Sequence, residues 1–236
     1  MKKLITVALA GVMVLNLAAC GGSGTTEQTT AASSDSTKTE AAETQSGLTE
    51  TRTFKLATDQ AVDYPNTIAL QSFADEVKEK TDGRIDIEIY PSAQLGDENA
   101  YLQQLQFGAV DFAKSSIAPL AQFCTDLNAL SLPYLFDSTD HMFKCLDGEI
   151  GEEIFASFES ANIVGLGFTN NGSRCFFTKT PVHTADDLAN MKLRVQSSPM
   201  MLGLVESLGG FPQAIASTEL YSALQTGVVD GAENNI

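Results

Sequence analysis

A nine-residue pattern that occurs twice constrains the fold of this chain more than any other feature. Residues 105–113 read LQFGAVDFA and residues 224–232 read LQTGVVDGA, so Leu, Gln, Gly, Val, Asp and Ala recur at the same spacing, 119 residues apart. A period of that length is far too long for a solenoid repeat. Two related lobes would explain the match, and so would coincidence, because a helix, a glycine stop and a strand start are a common combination.

The residues before each copy favour two related lobes. Each copy follows a proline, an acid in the first turn of a predicted helix and a tyrosine on that helix; these are Pro91, Glu98 and Tyr101 before the first copy and Pro212, Glu219 and Tyr221 before the second. Two α/β lobes joined near their middle would enclose a cleft faced by strand carboxyl ends and helix N-termini. The N–H groups of helix N-termini attract negative charge, so we expect the cleft to hold an anion.

Strand and helix patterns alternate from residue 51 onward. In residues 84–90, Ile85, Ile87 and Ile89 alternate with charged residues, which is typical of a half-buried strand. The alternation of elements along the chain predicts an α/β fold with largely parallel pairing. The other predicted elements are strands at residues 53–58, 110–113, 163–168 and 191–196, a helix at residues 97–107, and a helix after Pro65 that buries Ala69, Phe73 and Val77.

Charge and composition exclude several classes of function. The chain has 14 Lys and Arg against 30 Asp and Glu, a formal charge of −16, and it would repel the phosphate backbone of a nucleic acid. With four cysteines, two histidines and none of the usual zinc, phosphate-loop or nucleophile motifs, we expect neither a metal nor a cofactor. His141 and Cys145 could share one helical face, but a zinc site needs further ligands, so we interpret both as structural.

The N-terminus has the pattern of an exported, lipid-anchored protein. Lys2 and Lys3 precede an apolar run over residues 4–17 that is too short to cross a bilayer, which predicts a signal peptide over residues 1–19. The run ends in LAAC, which resembles a lipoprotein cleavage site at which Cys20 is acylated; alternatively, Cys20 is an incidental small residue. Residues 20–51 are almost entirely small or polar, so we expect a disordered tether.

Three ordered blocks of the second half resemble the solute-binding proteins of TRAP (tripartite ATP-independent periplasmic) transporters. The blocks are GSR at residues 172–174, TADDLANMKLRV at residues 184–195 and ELYSALQTGVVDGAEN at residues 219–234; YPSAQLGDE at residues 90–98 and LPY at residues 132–134 fit the same family. The resemblance implies a two-lobed periplasmic-binding-protein-like fold with a ligand cleft, its first lobe over residues 52–171 and its second beginning at residue 172. Family members continue well beyond residue 236, so we expect the second lobe to be incomplete in this chain.

The same resemblance implies a function. A monomeric, extracytoplasmic receptor would capture an organic acid, such as a C4-dicarboxylate or a sugar acid, and deliver it to the membrane subunits of an ion-driven TRAP transporter. The family's ligand positions fall on Arg194, Arg174 and Asn234 in the second lobe and on Asp59, Glu98 and Ser116 in the first. The chain departs from the family pattern at Gln196, where proline usually follows K-x-R-V, and at Asp59, where some members have an uncharged residue.

Arg194 is also supported by its chemistry. The alternation of residues 192–196 places Lys192, Arg194 and Gln196 on the face opposite Leu193 and Val195. A guanidinium can donate two parallel hydrogen bonds to one carboxylate, which lysine cannot do. The alternative for Arg194 is a solvated charge on an open strand face.

The other candidate residues also have structural alternatives. Glu98 could simply complement its helix dipole, Asn234 could be a turn or cap residue, and Arg174 could be a surface charge.

Two other functional classes remain open from the sequence. An enzyme acting on carboxylic acids could use Arg194 to hold its substrate, but it would need a base or a nucleophile, and neither histidine lies in a recognisable constellation. A sensory, adhesive or ABC-type binding lipoprotein could use the same cleft.

Overall fold

The computed structural model of the chain describes residues 50–235, which contain seven strands and seven α-helices. Four short 3-10 helices lie between them, at Thr125–Ser131, Phe158–Ala161, Ala185–Leu188 and Ser217–Glu219. The elements in chain order are β1 Arg52–Ala57, α1 Pro65–Lys80, β2 Ile85–Tyr90, α2 Glu98–Gln106, β3 Phe112–Ala113, α3 Ile117–Leu120, α4 Thr139–Leu146, α5 Glu149–Ser157, β4 Arg174–Thr178, β5 Lys192–Val195, α6 Pro199–Ser207, β6 Phe211–Ala214, α7 Leu220–Gln225 and β7 Gly231–Asn235.

The strands form two sheets from separate stretches of the chain. The first sheet has the order β2-β1-β3 and the second the order β4-β7-β5-β6. All pairs are parallel except β4 with β7, which is antiparallel. The predicted α/β fold with largely parallel pairing is therefore confirmed. We call residues 52–171 the first lobe and residues 172–235 the second lobe.

The repeated sequence pattern forms the same backbone device in both lobes. The main-chain N–H of Asp111 donates to the carbonyl of Lys55 at 3.1 Å, and the N–H of Lys55 donates to Asp111 Oδ2 at 2.8 Å. Asp230 and Lys192 repeat this reciprocal pair at 2.7 and 2.9 Å. Each aspartate therefore joins the end of the repeat to an interior strand of its sheet, at the fourth residue of β1 and at the first residue of β5.

The residues flanking the repeat are not equivalent. Tyr101 is fully buried, whereas Tyr221 is 76% exposed. Glu98 is buried, whereas Glu219 is exposed. The match between these flanking positions was therefore wrong as a structural correspondence, because α2 buries Glu98, Tyr101 and Leu102 while α7 buries only Ala223.

Helix α1 buries a different stripe from the predicted one. Ala69 is exposed and Phe73 is 40% exposed, while Thr67 and Ala74 are buried. Ala74 packs with Leu56 and Ile87 of the sheet, and Leu70 and Val77 complete this cluster. Of the predicted face, Val77 packs into this cluster and Phe73 lies edge-on against Phe112 of β3, while Ala69 is exposed because the sheet meets the helix on the neighbouring row of side chains.

The predicted strand over residues 163–168 is wrong. No described strand pairs with this segment, so its backbone forms no hydrogen bonds of a sheet. Ile163 and Phe168 pack into an apolar cluster of the first lobe, while Val164 and Leu166 are exposed. The local sequence favours a strand here, but it cannot supply the neighbouring strand that a sheet requires.

The two lobes touch through α3. Ala118 is buried in the core cluster of the second lobe, beside Leu193, Val195 and Val205. Among residues 50–235, no helix is long and apolar enough to cross a membrane.

Candidate functional site

A pocket opens between the lobes at the predicted cleft. It lies at the N-terminus of α2 and at the carboxyl ends of β5 and β6. Its walls are Asp97, Glu98, Asn99 and Pro119 from the first lobe and Arg194, Gln196, Ser197, Ile215, Ala216 and Ser217 from the second. Strand ends and a helix N-terminus therefore meet there, as expected for an anion site between two α/β lobes.

Hydrogen bonds join the lobes around this pocket. The hydroxyl of Ser217 donates to Asp59 Oδ2 at 2.9 Å. On the other side, Asn99 Nδ2 donates to Ser197 Oγ at 3.3 Å and Gln122 Nε2 donates to the Ser197 carbonyl at 2.7 Å. These hydrogen bonds border the pocket, and they can form only when the two lobes lie close together.

Arg194 is a buried cation in the wall of this pocket. It is the third residue of β5, and only 3% of it is exposed, so the solvated alternative is wrong. Its Nε donates to the Ile215 carbonyl at 2.7 Å, and its Nη1 lies 3.8 Å from Glu233 Oε1. Burial lowers the pKa of Arg194, and the negative charge of Glu233 opposes this shift. Within the described part of the chain, its two Nη atoms donate no hydrogen bond.

Arg174 is held more completely. It begins β4, where its Nε donates to Glu233 Oε2, its Nη1 donates to Asn235 Oδ1 at 2.8 Å and its Nη2 donates to the Glu233 carbonyl at 3.3 Å. Its side chain is 28% exposed. Arg174 is therefore a partly buried, oriented cation rather than a surface charge.

Glu233 joins the two arginines, and the sequence analysis missed it. This residue of β7 is 2% exposed, and its Oε1 also accepts the main-chain N–H of Gln196 at 3.1 Å. One signal could have found it: two arginines predicted to line one cleft need a counter-charge, and Glu233 is the acid directly after the second copy of the repeat.

Glu98 lies across the pocket, at the start of α2. It is 7% exposed, and its Oε1 accepts the main-chain N–H of Ser116 at 2.6 Å. Burial, followed by the charge of Asp59, raises the pKa of Glu98. A role limited to the helix dipole would not require this burial, and the main-chain N–H of Ser116 contributes to holding the carboxylate.

Lys114 is a further charged group that the sequence analysis missed. It is half-buried next to Asp59 and Glu98, and burial lowers its pKa. Three cations therefore stand near the pocket (Lys114, Arg174 and Arg194) with three acids (Asp59, Glu98 and Glu233). The basic groups of the second lobe face an acidic edge formed by the first lobe.

Asn234 does not join this polar cluster. It pairs with Cys175, on the face of β7 opposite Glu233, and it is exposed. Its Oδ1 accepts the N–H of Asn235 at 2.9 Å. The neighbouring Asn235 contacts Arg174 instead, so the ligand role of Asn234 stays a prediction.

His141 and Cys145 both lie on α4, and their structural roles stay a prediction. His141 Nδ1 lies 3.6 Å from Asp137 Oδ2. Across residues 50–235, no three histidine, cysteine or acidic side chains come together as a metal site. Cys20, the predicted signal peptide and most of the predicted tether lie outside the described residues.

Comparison with known proteins places this site in a family. The family model described as bacterial extracellular solute-binding protein, family 7 (DctP) matches residues 56–236. The C4-dicarboxylate-binding periplasmic protein DctP of Rhodobacter capsulatus is 35% identical over 188 residues, which are 79% of this chain and 56% of that protein.

Solved structures show the same fold. A TRAP periplasmic solute-binding protein from Xanthobacter autotrophicus with bound β-D-galacturonate is 37% identical, with a TM-score of 0.75 over 77% of this chain and 61% of that one. A TRAP periplasmic solute-binding protein from Citrobacter koseri with bound D-glucuronate is 39% identical, with a TM-score of 0.75 over 78% and 62% of the two chains. The chain thus spans little more than half of its curated relative and about three fifths of these structures. From its sequence, its fold and its cleft, the chain belongs to the DctP family of bacterial extracellular solute-binding proteins.

Proposed function

We propose that this chain is the receptor of a TRAP transporter and captures a sugar acid by its single carboxylate. The observation that carries the proposal is Arg194, a buried guanidinium in the inter-lobe pocket whose Nη atoms donate no hydrogen bond to the rest of the described chain. A ligand carboxylate would supply the bidentate partner that this cation lacks.

The charges of the second lobe favour a ligand with one carboxylate. Arg174 and Arg194 share one counter-ion, Glu233, so one positive charge is left for the ligand to neutralise. A second carboxylate would have to lie toward the first lobe, where the two acids Asp59 and Glu98 outnumber the one cation, Lys114, and would repel it. A dicarboxylate therefore fits this arrangement poorly.

The acidic edge suits the hydroxyl groups of a sugar acid. Carboxylate oxygens accept hydrogen bonds from hydroxyl groups, and such charge-assisted bonds are strong. We assign this role to Asp59 and Glu98, with Ser116 holding Glu98 in place. The uronates bound to the Xanthobacter and Citrobacter proteins agree with this assignment, whereas the Rhodobacter relative is named for C4-dicarboxylates.

The roles of the two arginines differ in this proposal. Arg194 binds the carboxylate through two hydrogen bonds, while Arg174, already committed on three nitrogens, adds one bond or a water-mediated contact. The side chain of Asn234 lies on the face of β7 opposite Glu233, so a contact with the ligand would require it to turn toward the pocket.

The acid is bound and released unchanged in an extracytoplasmic compartment, and the membrane subunits of the transporter receive it. Acylated Cys20 would hold the receptor at the membrane. Cys20→Ala should move the protein from the detergent phase to the aqueous phase in a phase-separation experiment, and an unchanged distribution would contradict the anchor.

Calorimetric titration of the protein with four matched compounds tests the proposed function. D-galacturonate and D-glucuronate should bind, D-galactose should not because it lacks the carboxylate, and succinate should bind at least ~100-fold more weakly, a difference of about 2.7 kcal/mol. Succinate binding as tightly as the uronates would overturn the assignment to sugar acids. Equal affinity for galactose and galacturonate would overturn the carboxylate site itself.

A further inference from the structure

We propose that Glu233 is a positioning residue that aims both arginines of the pocket, and that the main-chain N–H of Gln196 holds Glu233 in the position where it can do so. This inference rests on the proposed function, because it explains how the carboxylate site is built. It also gives a role to Gln196, the position at which the chain departs from the family pattern.

The two oxygens of the Glu233 carboxylate have different partners. Oε2 accepts the hydrogen bond from Arg174 Nε. Oε1 accepts the N–H of Gln196 at 3.1 Å and lies 3.8 Å from Arg194 Nη1. Glu233 is 2% exposed, so protein atoms rather than water set the direction of the carboxylate. One buried carboxylate is therefore divided between two cations and one backbone donor.

The two guanidiniums therefore differ in how many of their nitrogens are already engaged. Arg174 is fixed in orientation, because Glu233 and Asn235 together engage three of its nitrogens. Arg194 is attracted by Glu233 at ion-pair distance but keeps its Nη atoms for another acceptor, since only its Nε is engaged, by the Ile215 carbonyl. Without Glu233, two like charges would face each other in a buried site and would turn apart.

Gln196 supplies the contact that holds the carboxylate. It follows the last residue of β5, and its N–H points at Glu233 rather than into the sheet. Proline at this position would have no N–H to donate. We infer that in this chain the backbone donor fixes Oε1 near Arg194, and that the usual proline would release it.

The first test removes the charge of Glu233 but keeps its length. Glu233→Gln should weaken D-galacturonate binding by roughly 10- to 100-fold, the scale of losing hydrogen bonds to a charged group. Glu206→Gln, which removes an exposed acid on α6 of the same lobe, should change the affinity by less than about twofold. Glu233→Asp keeps the charge but is one methylene shorter, and it should fail to restore the affinity because it cannot reach both arginines.

A double-mutant cycle tests whether Glu233 acts on the ligand through Arg174 or independently of it. If Glu233 acts on the ligand through Arg174, the affinity of Arg174→Ala plus Glu233→Gln should equal that of the weaker single variant within about threefold. Losses that multiply would show independent effects and would overturn the proposal.

The backbone contact is tested by a matched pair at Gln196. Gln196→Ala keeps the N–H and measures the contribution of the side chain, so Gln196→Pro should bind D-galacturonate at least ~5-fold more weakly than Gln196→Ala. Equal affinities would overturn the role of the N–H. If Gln196→Pro does not fold, the comparison of Glu233→Gln with its control is the deciding test. The proposal is overturned if Glu233→Gln binds D-galacturonate as tightly as Glu206→Gln does. Failure of the unsubstituted protein to bind any uronate would be a different result, which overturns the proposed function.

Discussion

Arg194 shows how strongly a single buried charge can dictate function. A guanidinium with 3% exposure is expensive to bury unless it is paired, and its nearest acid, Glu233, is shared with Arg174. The pairing is therefore incomplete until an anion enters the pocket. In the proposed function, this incomplete pairing is the physical basis for capture of a carboxylate.

Truncation of Arg194 should remove most of the affinity for D-galacturonate. We expect Arg194→Ala to cost ~2 to 5 kcal/mol, roughly 30- to 3,000-fold, and Arg194→Lys to recover only part of this because lysine lacks the fork. Arg174→Ala should cost less than Arg194→Ala. Calorimetry is the measurement, with Lys192→Ala as the control for long-range attraction, since that exposed lysine lies two residues earlier on β5. A loss under about threefold for Arg194→Ala would return Arg194 to a structural role.

Glu98 should make the stability of the fold depend on pH. Burial and the charge of Asp59 raise its pKa above the ordinary 4.5, so the folded state binds this proton more tightly than the unfolded state. Folding then takes up a proton, and the free energy of unfolding falls as pH rises from the unfolded pKa through the raised folded pKa. The destabilisation is fully present above that window and absent below it.

Glu98→Gln removes this dependence and should raise the melting temperature at about pH 7.5. A gain of ~1 kcal/mol corresponds to ~2–4 °C for a domain of this size. The gain should vanish below the unfolded pKa, where Glu98 is protonated in both states. Glu219→Gln, a matched change at an exposed acid of the other lobe, should show no such dependence. A melting temperature that Glu98→Gln lowers at neutral pH would contradict this account.

The sequence could predict these residues only where a motif or a local pattern marked them. Arg194, Arg174 and Glu98 were predicted because they sit in family blocks, and the structure places Arg194 and Glu98 in the wall of the pocket. Glu233 and Lys114 were missed because their roles depend on contacts between elements far apart in the chain. Glu233 reaches Gln196 across 37 positions and Arg174 across 59.

At the scale of elements, the repeat forms a helix stop, a left-handed glycine and a strand start in each lobe. Gly108 and Gly227 both have φ +73°, and the valines that follow them, Val110 and Val229, are 1% and 0% exposed. The glycine turns the chain so that valine enters the core and the following aspartate meets the central strand. The two copies therefore share this turn mechanism as well as their matching residues.

Substitution of either glycine tests this mechanism without adding a clash. A Cβ at position 108 or 227 would have no atom within 4 Å, so only the left-handed backbone opposes it. Gly108→Ala and Gly227→Ala should each lower the free energy of unfolding by about 1 kcal/mol in urea denaturation. Gly203→Ala is the matched control inside α6, where the same open space should give a gain of about 0.5 to 1 kcal/mol. Gains at all three positions would show that the turn imposes no strain.

Helices and strands were predictable where the residue pattern of one face identifies them. They were less predictable where packing or pairing with a neighbouring element determines the structure. The alternation of Ile85, Ile87 and Ile89 was enough to find β2. For α1, a helical period fitted two adjacent stripes, and only the packing of the sheet selected the one containing Ala74. For residues 163–168, the pattern fitted a strand, but pairing needs a partner that periodicity does not reveal.

At the scale of the whole molecule, the lobes meet through contacts that depend on their separation. Ser217 with Asp59, and Ser197 with Asn99 and Gln122, join the lobes on two sides of the pocket. These contacts must break for a ligand to enter and must form again for the site to exclude water. The connecting segment near residues 170–172 is the expected hinge, because a few residues can absorb such a rotation.

Capture of the acid should therefore shift the protein toward a closed state. The ligand would favour closure because Arg194 in the second lobe and Glu98 in the first can both contact it only when the lobes approach. A variant without Arg194 should lose this advantage even where its fold is intact. Closure of the lobes and the contact of Arg194 with the ligand carboxylate can therefore be tested in one experiment.

Small-angle scattering with and without D-galacturonate measures this claim most directly. The unsubstituted protein should show a smaller radius of gyration with ligand, the sugar acid should be recovered unchanged, and Arg194→Ala should show no decrease at the concentration that saturates the parent. A radius of gyration that stays constant while calorimetry reports binding, or one that decreases equally in Arg194→Ala, would contradict capture by closure on Arg194.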